Sequence, residues 1–472
     1  MGTKKTLKSI FVVILSNCSS IISGVLIGLL LPQIISVNDY GLYKTFTLYL
    51  TYAGFFSLGI IDGIVLDYGD KDYEDFNKPL FRSYWRWYFV IHLFFGITLL
   101  CAGTVINNLD YKFIFIMLSL NMMANNFTGY FQQLSQITQR FGEYSLRKTL
   151  QSAINIAIVV ALYLTTKNGI DVTYKAYVVS IVLLNIVLTL WYIRTYKDII
   201  FGKSLRYLDT YKNIIHLMKI GFPLLFANLC STLILTLDRQ FVNLLFDNTT
   251  YAIYAFSYNL LSLVTIATSA VSTVLYPILK RAEKGKLKDY YSHLIEVILV
   301  FVFMAMLIYF PLSVFIKCYL PKYEDSLSFF RIIFPGLAIS TSITVVMHNY
   351  YKTLEKNIVY FKKSVIVLIF SAVANYLAYV VFKTPTAISI ASIITMLLWY
   401  LFVEHYFVRI FSIKWKRNFI YLLVMMTGFY IITNISNFIV SGIIYAVFWL
   451  SVTLIFYRNT KQQIIRILIK QV

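Results

Sequence analysis

Apolar runs of about 20 residues recur along the whole chain, and they constrain its fold more than any other feature. A run of this length crosses the hydrocarbon core of a bilayer as one helix, since a helix rises about 1.5 Å per residue. Short polar segments separate the runs. We therefore predict an all-α polytopic membrane protein with about fourteen transmembrane helices.

The predicted spans cover most of the sequence, and the fifth and thirteenth are short. They are Ile10 to Ile35, Tyr43 to Leu66, Trp87 to Ile106, Phe113 to Gln136, Leu150 to Leu164, Tyr174 to Tyr192, Ile220 to Leu245, Tyr251 to Tyr276, Leu294 to Ile316, Ser328 to Tyr350, Ser364 to Phe382, Thr386 to Val408, Asn418 to Thr433 and Phe438 to Tyr457.

The composition agrees with a surface that faces lipid. Only 13% of the residues are charged and 59% are hydrophobic, whereas soluble domains average about 25% charged residues. So few charges cannot cover a water-exposed surface, which excludes a soluble enzyme, a disulfide scaffold and a disordered chain. The connections between spans are also too short for an external catalytic domain, so we expect no enzyme.

The basic residues indicate the orientation in the membrane. The net charge is +21, and 33 of the 42 Lys and Arg residues fall in the segments on one side of the predicted spans. By the positive-inside rule both termini are then cytoplasmic, and the chain is a multi-pass protein of the cytoplasmic (inner) membrane. The positive charge therefore does not indicate a nucleic-acid partner.

Like residues recur at a fixed distance, which indicates an internal repeat. At an offset of 211, Asn17 meets Asn228 and Tyr40 meets Tyr251; at an offset of 216, Thr128 meets Thr344. Spans 1 to 6 and 7 to 12 are then two pseudo-symmetric six-helix lobes in one orientation, followed by two C-terminal helices. Chance coincidence of residue types is the alternative. The predicted boundaries are 1–212, 213–408 and 409–472.

Polar side chains recur on single helical faces, where lipid-facing positions would be apolar. We expect these faces to line a hydrated central cavity that binds substrate, although polar bonding between packed helices would produce the same pattern. The candidate cavity residues are Asn17, Asn121, Asn125, Thr128, Gln132, Asn228, Arg239, Tyr258, Thr265, Ser269, Thr344 and His348.

Few ionisable groups fall inside the spans, and each has two interpretations. Asp238 and Arg239 are adjacent, so they point in different directions and cannot pair well. Arg239 could bind an anion or extend to the interface. Asp62 is either a gating or coupling group or an interfacial carboxylate, and Asp238 is a second gating or coupling candidate. His348 either titrates near neutral pH or bonds in the core.

Glycines and missing motifs add two further expectations. Gly24 and Gly28 in span 1, with Gly59 and Gly63 in span 2, are predicted to be points of close helix packing. Lys197 stands where a phosphate-binding loop ending at Gly202-Lys203-Ser204 requires glycine, so no nucleotide site is expected. No metal-ligand spacing is present, and we predict no metal and no cofactor.

Three stretches carry a resemblance to a known family: Asp39-Tyr40-Gly41-Leu42-Tyr43, Gly59-Ile60-Ile61-Asp62-Gly63 running into Tyr68 to Tyr73, and Asp238-Arg239. The chain resembles bacterial polysaccharide biosynthesis flippases of the multidrug/oligosaccharidyl-lipid/polysaccharide exporter superfamily. Relatives commonly carry a basic residue where this chain has Asp67.

The resemblance implies a flippase that moves a polyprenyl-diphosphate-linked oligosaccharide to the outer leaflet by alternating access of the two lobes. Implied partners are this lipid, the membrane lipids, a polysaccharide polymerase and glycosyltransferases. Arg239 and His348 are then candidates to contact the diphosphate, and spans 13 and 14 to contact the polyprenyl tail. An ion-coupled multidrug exporter of the same fold is the first alternative, and a membrane polysaccharide polymerase or acyltransferase the second.

Overall fold

A computed structural model describes the chain at residues 3–69, 71–281, 285, 287–413 and 415–469. Its side-chain description leaves out positions 3–12, 14, 263–274, 276–278, 280–281, 357 and 458–469. Helices account for most of the described residues, and no β-strand occurs among them. The predicted all-α class is therefore confirmed.

The chain forms two compact units. The first comprises Met1–Thr232 and Phe246–Ala252, and the second comprises Leu233–Leu245 and Ile253–Val472. The helices that begin in the first unit are α1 (Thr3–Ile34), α2 (Val37–Leu50), α3 (Ile60–Tyr68), α4 (Lys78–Val105), α5 (Leu109–Ile137), α6 (Phe141–Lys167), α7 (Tyr174–Thr195), α8 (Tyr207–Leu245) and α9 (Asn248–Arg281). Within this unit α1 packs on α6, and α5 packs on both α4 and α7.

The second unit contains the remaining helices and the C-terminal parts of α8 and α9. Its helices are α10 (Leu287–Ala305), α11 (Tyr309–Tyr319), α12 (Ser326–Ile333), α13 (Gly336–Thr341), α14 (His348–Thr353), α15 (Asn357–Phe382), α16 (Pro385–Phe411), α17 (Lys416–Ile432) and α18 (Phe438–Ile469). Within this unit α15 packs along α16, and α18 contacts α10, α11 and α17.

Each predicted span falls on one helix or on consecutive helices. Nine stretches of the described residues are long and apolar enough to cross a membrane, and two bent helix pairs raise the number to eleven. The other three spans fall on α5, which carries several amide side chains, on α9, and on α17, which has 17 residues. Span 5 is longer than predicted, because polar turns that the hydropathy pattern omitted extend α6 at both ends.

Large apolar side chains remain exposed on the helices, as a lipid environment requires. On α18, Ile439 is 73% exposed, Val447 60% and Ile455 76%. In water such a surface would aggregate, whereas lipid tails cover it at no cost. The chain is a multi-pass membrane protein.

Two predicted spans are bent rather than straight. The segment Val37–Ser57 meets α3 at 54°, and α12 meets the segment Gly336–Thr353 at 45°. The first bend follows from Leu58 and Gly59, which both adopt left-handed backbone conformations with φ of 51° and 79°. Gly59 has no side chain to oppose this conformation. The continuous helix predicted for span 2 is therefore wrong.

Helix boundaries recur at the predicted repeat offsets. At an offset of 216, α5 and α14 end at Ile137 and Thr353, and both are followed two residues later by a non-glycine residue with φ of 56°. The next helices, α6 and α15, begin at the same offset. At an offset of 211, α2 begins after Ser36 and α9 after Asp247, and both side chains accept hydrogen bonds from the first turn of their helices. The two halves of the chain therefore share these helix boundaries.

Glycines bring α3 and α8 into backbone contact inside the first unit. A Cβ atom at Gly63 would lie 2.2 Å from the Leu217 carbonyl oxygen, and one at Gly221 would lie 2.0 Å from the Gly59 carbonyl oxygen. The packing role predicted for Gly59 and Gly63 is confirmed. Gly24 has no neighbouring atom within 4 Å of such a Cβ, so the same prediction was wrong there.

We expect Gly63→Ala to lower stability, because the added methyl group forces α3 away from α8. Overpacking of this kind costs about 1–3 kcal/mol. The measurement is the thermal unfolding midpoint of the purified full-length protein. Gly129→Ala is the control, since a Cβ at Gly129 meets no atom within 4 Å and alanine favours a helix by up to about 1 kcal/mol over glycine. Equal midpoints for the two variants would contradict the contact.

Candidate functional site

Asp238 is a buried carboxylate that two tyrosines of the next helix hold in place. It lies on α8 and is 2% exposed. The Tyr254 hydroxyl donates a hydrogen bond of 2.7 Å to Oδ2, and the Tyr258 hydroxyl donates to the same atom. Tyr254 and Tyr258 reach it together because residues four apart lie on one face of α9. Ser389 Oγ on α16 lies 3.4 Å from the Tyr254 hydroxyl oxygen.

Arg239, which follows Asp238 on α8, packs its guanidinium against α9. Its guanidinium lies 4.4 Å from the centre of the Tyr258 ring, and Nη2 donates a 3.1 Å hydrogen bond to the Leu235 carbonyl. That carbonyl is one turn earlier on α8, so the side chain turns back from the C-terminal end of the helix. In this conformation the guanidinium does not extend to the end of α8. Its Nε has no hydrogen-bond partner among the described residues.

A cavity of about 250 Å³ opens in front of Arg239, within the second unit. Helices α8, α9, α12, α13 and α16 contribute to its wall. Its polar lining consists of Arg239, Tyr258, Ser262, Ser340 and Ser392, and its apolar lining includes Leu235, Leu261, Ile333, Leu337, Ile393 and Met396. One cation, several hydroxyls and an aromatic ring in a mostly apolar cavity suit a ligand that carries both an anionic and an apolar or hydroxylated part.

Thr344 and His348 lie on an irregular part of span 10. Thr344 belongs to a π-helical turn, Ser342–Met347, and donates a 2.8 Å hydrogen bond to the Ser340 carbonyl. The His348 ring stacks on Tyr360, with 4.6 Å between ring centres. Neither residue lines the cavity in front of Arg239. A π-helical turn is often found at functional sites, because it interrupts the regular backbone hydrogen bonds.

The amide and hydroxyl face of α5 bonds to α7 within the first unit. Asn121 Oδ1 accepts a 2.8 Å hydrogen bond from Asn185, and the Thr128 and Thr189 hydroxyls lie 3.0 Å apart. Asn121 and Thr128 are buried, while the candidates Asn125 and Gln132 on the same helix are half-buried. Asn121 and Thr128 therefore take part in contacts between helices, the alternative that their pattern left open.

The other predicted site residues belong to four different helices, α1, α3, α8 and α9. Asn17 on α1 accepts hydrogen bonds from Lys148 Nζ at 2.7 Å and from the Tyr144 hydroxyl at 3.2 Å. Asp62 is half-buried in the first turn of α3, and Asn228 is exposed on α8. Thr265 and Ser269 lie outside the residues whose side chains are described.

Sequence reasoning missed three polar residues of α16: Ser389, Ser392 and Glu404. On α16, Ser389 approaches the Tyr254 hydroxyl and Ser392 lines the cavity. Serines occur too often in membrane helices for the sequence to single these two out. Glu404, also on α16, is buried inside predicted span 12. The sequence could have identified Glu404, since a carboxylate inside a membrane span is rare. No cluster of three or more metal-ligating side chains occurs among the described residues.

A protein-family model described as "Polysaccharide biosynthesis protein" matches residues 6–283, which is more than half of the chain. The chain belongs to this polysaccharide biosynthesis family. The match includes α1 to α9 and therefore Asp238, Arg239, Tyr254 and Tyr258. No curated protein matches the sequence.

Solved structures of membrane transporters share the fold of this family member. An inward closed form of the lipid II flippase MurJ is similar over 96% of this chain and 99% of its own, with a TM-score of 0.70 and 16% identity. An inward-facing multidrug resistance MATE family transporter of the MOP superfamily is similar over 84% of this chain and 96% of its own, with a TM-score of 0.59 and 11% identity. A MOP superfamily transporter from Pyrococcus furiosus is similar over 86% of this chain and 95% of its own, with a TM-score of 0.51 and 14% identity. At these identities the similarity establishes the fold alone.

We expect Tyr254→Phe to lower the thermal unfolding midpoint of the purified protein. The change removes a hydrogen bond to a buried carboxylate, which costs about 1.5–3 kcal/mol for a charged acceptor. Tyr291→Phe is the matched control in the same unit, since the buried Tyr291 hydroxyl has no hydrogen-bond partner among the described residues. If both variants unfold at the same temperature, the Tyr254 hydroxyl does not hold Asp238.

Proposed function

We propose that the protein is a flippase that moves a polyprenyl-diphosphate-linked oligosaccharide repeat unit from the cytoplasmic to the outer leaflet by alternating access. Membership of a polysaccharide biosynthesis family and a fold shared with a lipid flippase and with multidrug transporters support this proposal. A sugar headgroup needs such a protein, because each unpaired hydroxyl in hydrocarbon costs several kcal/mol, about 4–8 by water-to-cyclohexane transfer.

One observation carries the proposal: a cation stands at the wall of a cavity that also contains hydroxyls. Arg239 is held by Tyr258 and by the Leu235 carbonyl, and it shares the cavity with serine hydroxyls. A guanidinium binds phosphate through paired N–H donors, and binding is stronger where water is scarce. In this proposal Arg239 takes the diphosphate, and the serine and tyrosine hydroxyls take the first sugar.

A separate apolar groove would hold part of the polyprenyl chain. It lies between α11 and α18, has a volume of about 320 Å³ and is lined by Leu307, Phe310, Pro311, Val314, Phe438, Ile439, Gly442, Ile443 and Ala446. Every lining residue is apolar or glycine, so the groove offers an isoprenoid dispersion contacts and no polar group to desolvate. α18 is the last predicted span, one of the two expected to contact the tail.

The remaining parts of the proposal follow from topology. Lobes at 1–212 and 213–408 alternate the access of the cargo, and 409–472 supplies the last two spans. Both termini lie on the cytoplasmic side of the cytoplasmic membrane. Glycosyltransferases act before the flippase, and a polymerase acts after it. The roles proposed for Asn17, Asn121, Asn125, Thr128, Gln132, Asn228, Thr265, Ser269, Thr344 and His348 in cargo binding, and for Asp62 and Asp238 in gating, remain predictions.

We expect Arg239→Ala to abolish complementation of a flippase-null strain without loss of expression, because the diphosphate loses its cation. Lipid-linked oligosaccharide should then accumulate on the cytoplasmic side, as measured by its accessibility to an externally added label. Lys322→Ala is the control, since Lys322 is an exposed cation of the same unit. Full activity of Arg239→Ala would remove this assignment. An unchanged lipid pool with altered drug susceptibility would favour a multidrug exporter instead.

We expect Ala446→Trp to slow transport while the protein remains folded, because the indole fills the groove between α11 and α18. The measurement is the rate at which a polyprenyl-diphosphate-linked oligosaccharide changes leaflet in vesicles that contain the purified protein. Val447→Trp adds a similar volume at a 60% exposed position on the same helix and should leave the rate unchanged. Equal rates for the two variants would show that the groove does not hold the tail.

A further inference from the structure

Glu404 is a buried carboxylate that the transport site does not use. It lies on α16, about seven residues or 10 Å before the helix ends, and it is 1% exposed. Neither carboxylate oxygen accepts a hydrogen bond from any described residue. The Tyr400 hydroxyl one turn earlier interacts with the carboxylate, but not with the geometry of a hydrogen bond. A buried carboxyl group in this state can carry its negative charge only when a cationic or donor partner stabilises it.

The chain supplies such a partner for the other buried carboxylate nearby. Glu296 on α10, which is 3% exposed, forms an ion pair with Arg417 on α17. His293 Nδ1 also lies 3.8 Å from Glu296. Arg417 is thus engaged elsewhere and does not neutralise Glu404. Glu296 therefore has a cationic partner, whereas Glu404 has none among the described residues.

Glu404 lines a cavity of about 410 Å³ that is large enough for a lipid headgroup. The rest of the lining is Lys363, Leu401, Phe402, His405, Val408 and Trp415. Lys363 is half-buried, and its Nζ donates to the Phe402 carbonyl. The cavity therefore presents an anion and a cation from different helices, with tryptophan at the start of α17, where aromatic rings favour the membrane interface.

An exposed apolar stripe leads away from this cavity along α16. Its residues Ile390, Ile394, Leu398 and Phe402 recur every four positions and are 48%, 51%, 37% and 45% exposed. Residues at this spacing follow one side of a helix. The stripe offers a surface for an acyl chain whose polar end lies at Glu404 and Lys363.

We propose that this cavity binds the headgroup of a phospholipid that carries a primary amine. The lipid ammonium donates hydrogen bonds to the Glu404 carboxylate, the phosphate accepts from Lys363, and one acyl chain follows the stripe on α16. A primary ammonium has three donors, so it can satisfy both carboxylate oxygens, whereas a quaternary ammonium has none. The site is separate from the cavity at Arg239, and it does not depend on the cargo proposed above.

The test is lipid binding to the purified full-length protein in detergent, measured by native mass spectrometry. The probes are phosphatidylethanolamine, phosphatidylcholine and phosphatidylglycerol with identical acyl chains. We expect phosphatidylethanolamine to bind at least about tenfold more tightly than the other two, as for one charged hydrogen bond gained. Equal affinities for phosphatidylethanolamine and phosphatidylcholine would overturn the proposal. Equal affinities for phosphatidylethanolamine and phosphatidylglycerol would do so too, since the cavity would then recognise phosphate alone.

Two pairs of variants locate the site. Glu404→Gln and Lys363→Gln should each remove the preference for phosphatidylethanolamine, whereas Glu74→Gln and Lys362→Gln, at exposed positions, should retain it. Glu404→Gln keeps the shape of the side chain and removes a buried charge, so the fold should persist; the thermal unfolding midpoint without added lipid checks this. A preference that survives in both Glu404→Gln and Lys363→Gln would show that the lipid binds elsewhere.

Discussion

Hydrocarbon offers no hydrogen bonds, and this constraint governs the whole structure. Backbone polar groups satisfy one another within helices, so the described residues contain helices and no strands. Polar side chains inside the spans must likewise find partners in the protein or in a ligand. Where the backbone leaves the helical path, as at Leu58 and Gly59, glycines bring the neighbouring helix α8 into close contact with it.

The buried carboxylates of the second unit show three solutions to this constraint. Asp238 is held by two tyrosine hydroxyls, Glu296 is paired with Arg417, and Glu404 has neither. The first arrangement leaves Arg239 free of its acidic neighbour, so the guanidinium faces a cavity. The second joins α10 to α17. Glu404 has no hydrogen-bond donor among the described residues, which is why we propose that it binds an external amine.

Two features of the sequence predicted the architecture: the hydropathy of the spans, which the membrane dictates, and the internal repeat. Each span predicted from hydropathy falls on one helix or on consecutive helices, although several helices begin 7 to 13 residues earlier than predicted. The repeat offsets of 211 and 216 coincide with helix boundaries in both halves. The prediction failed where local geometry decides, as in the bend of span 2. It also missed Glu404, which lies inside predicted span 12 but shares no polar helical face with other candidates.

What the sequence by itself determined is the number of spans, the duplication and the presence of a few polar groups where lipid would exclude them. It could not determine what those groups contact, because a polar face on one helix is compatible with a wet cavity and with a bonded neighbour. Tertiary structure decided this: Asn121 and Thr128 bond to α7, whereas Arg239 faces a cavity. The physical reason is that a hydrogen bond depends on which helix packs opposite, and residues far apart in the chain, such as Tyr254 and Ser389, set that packing.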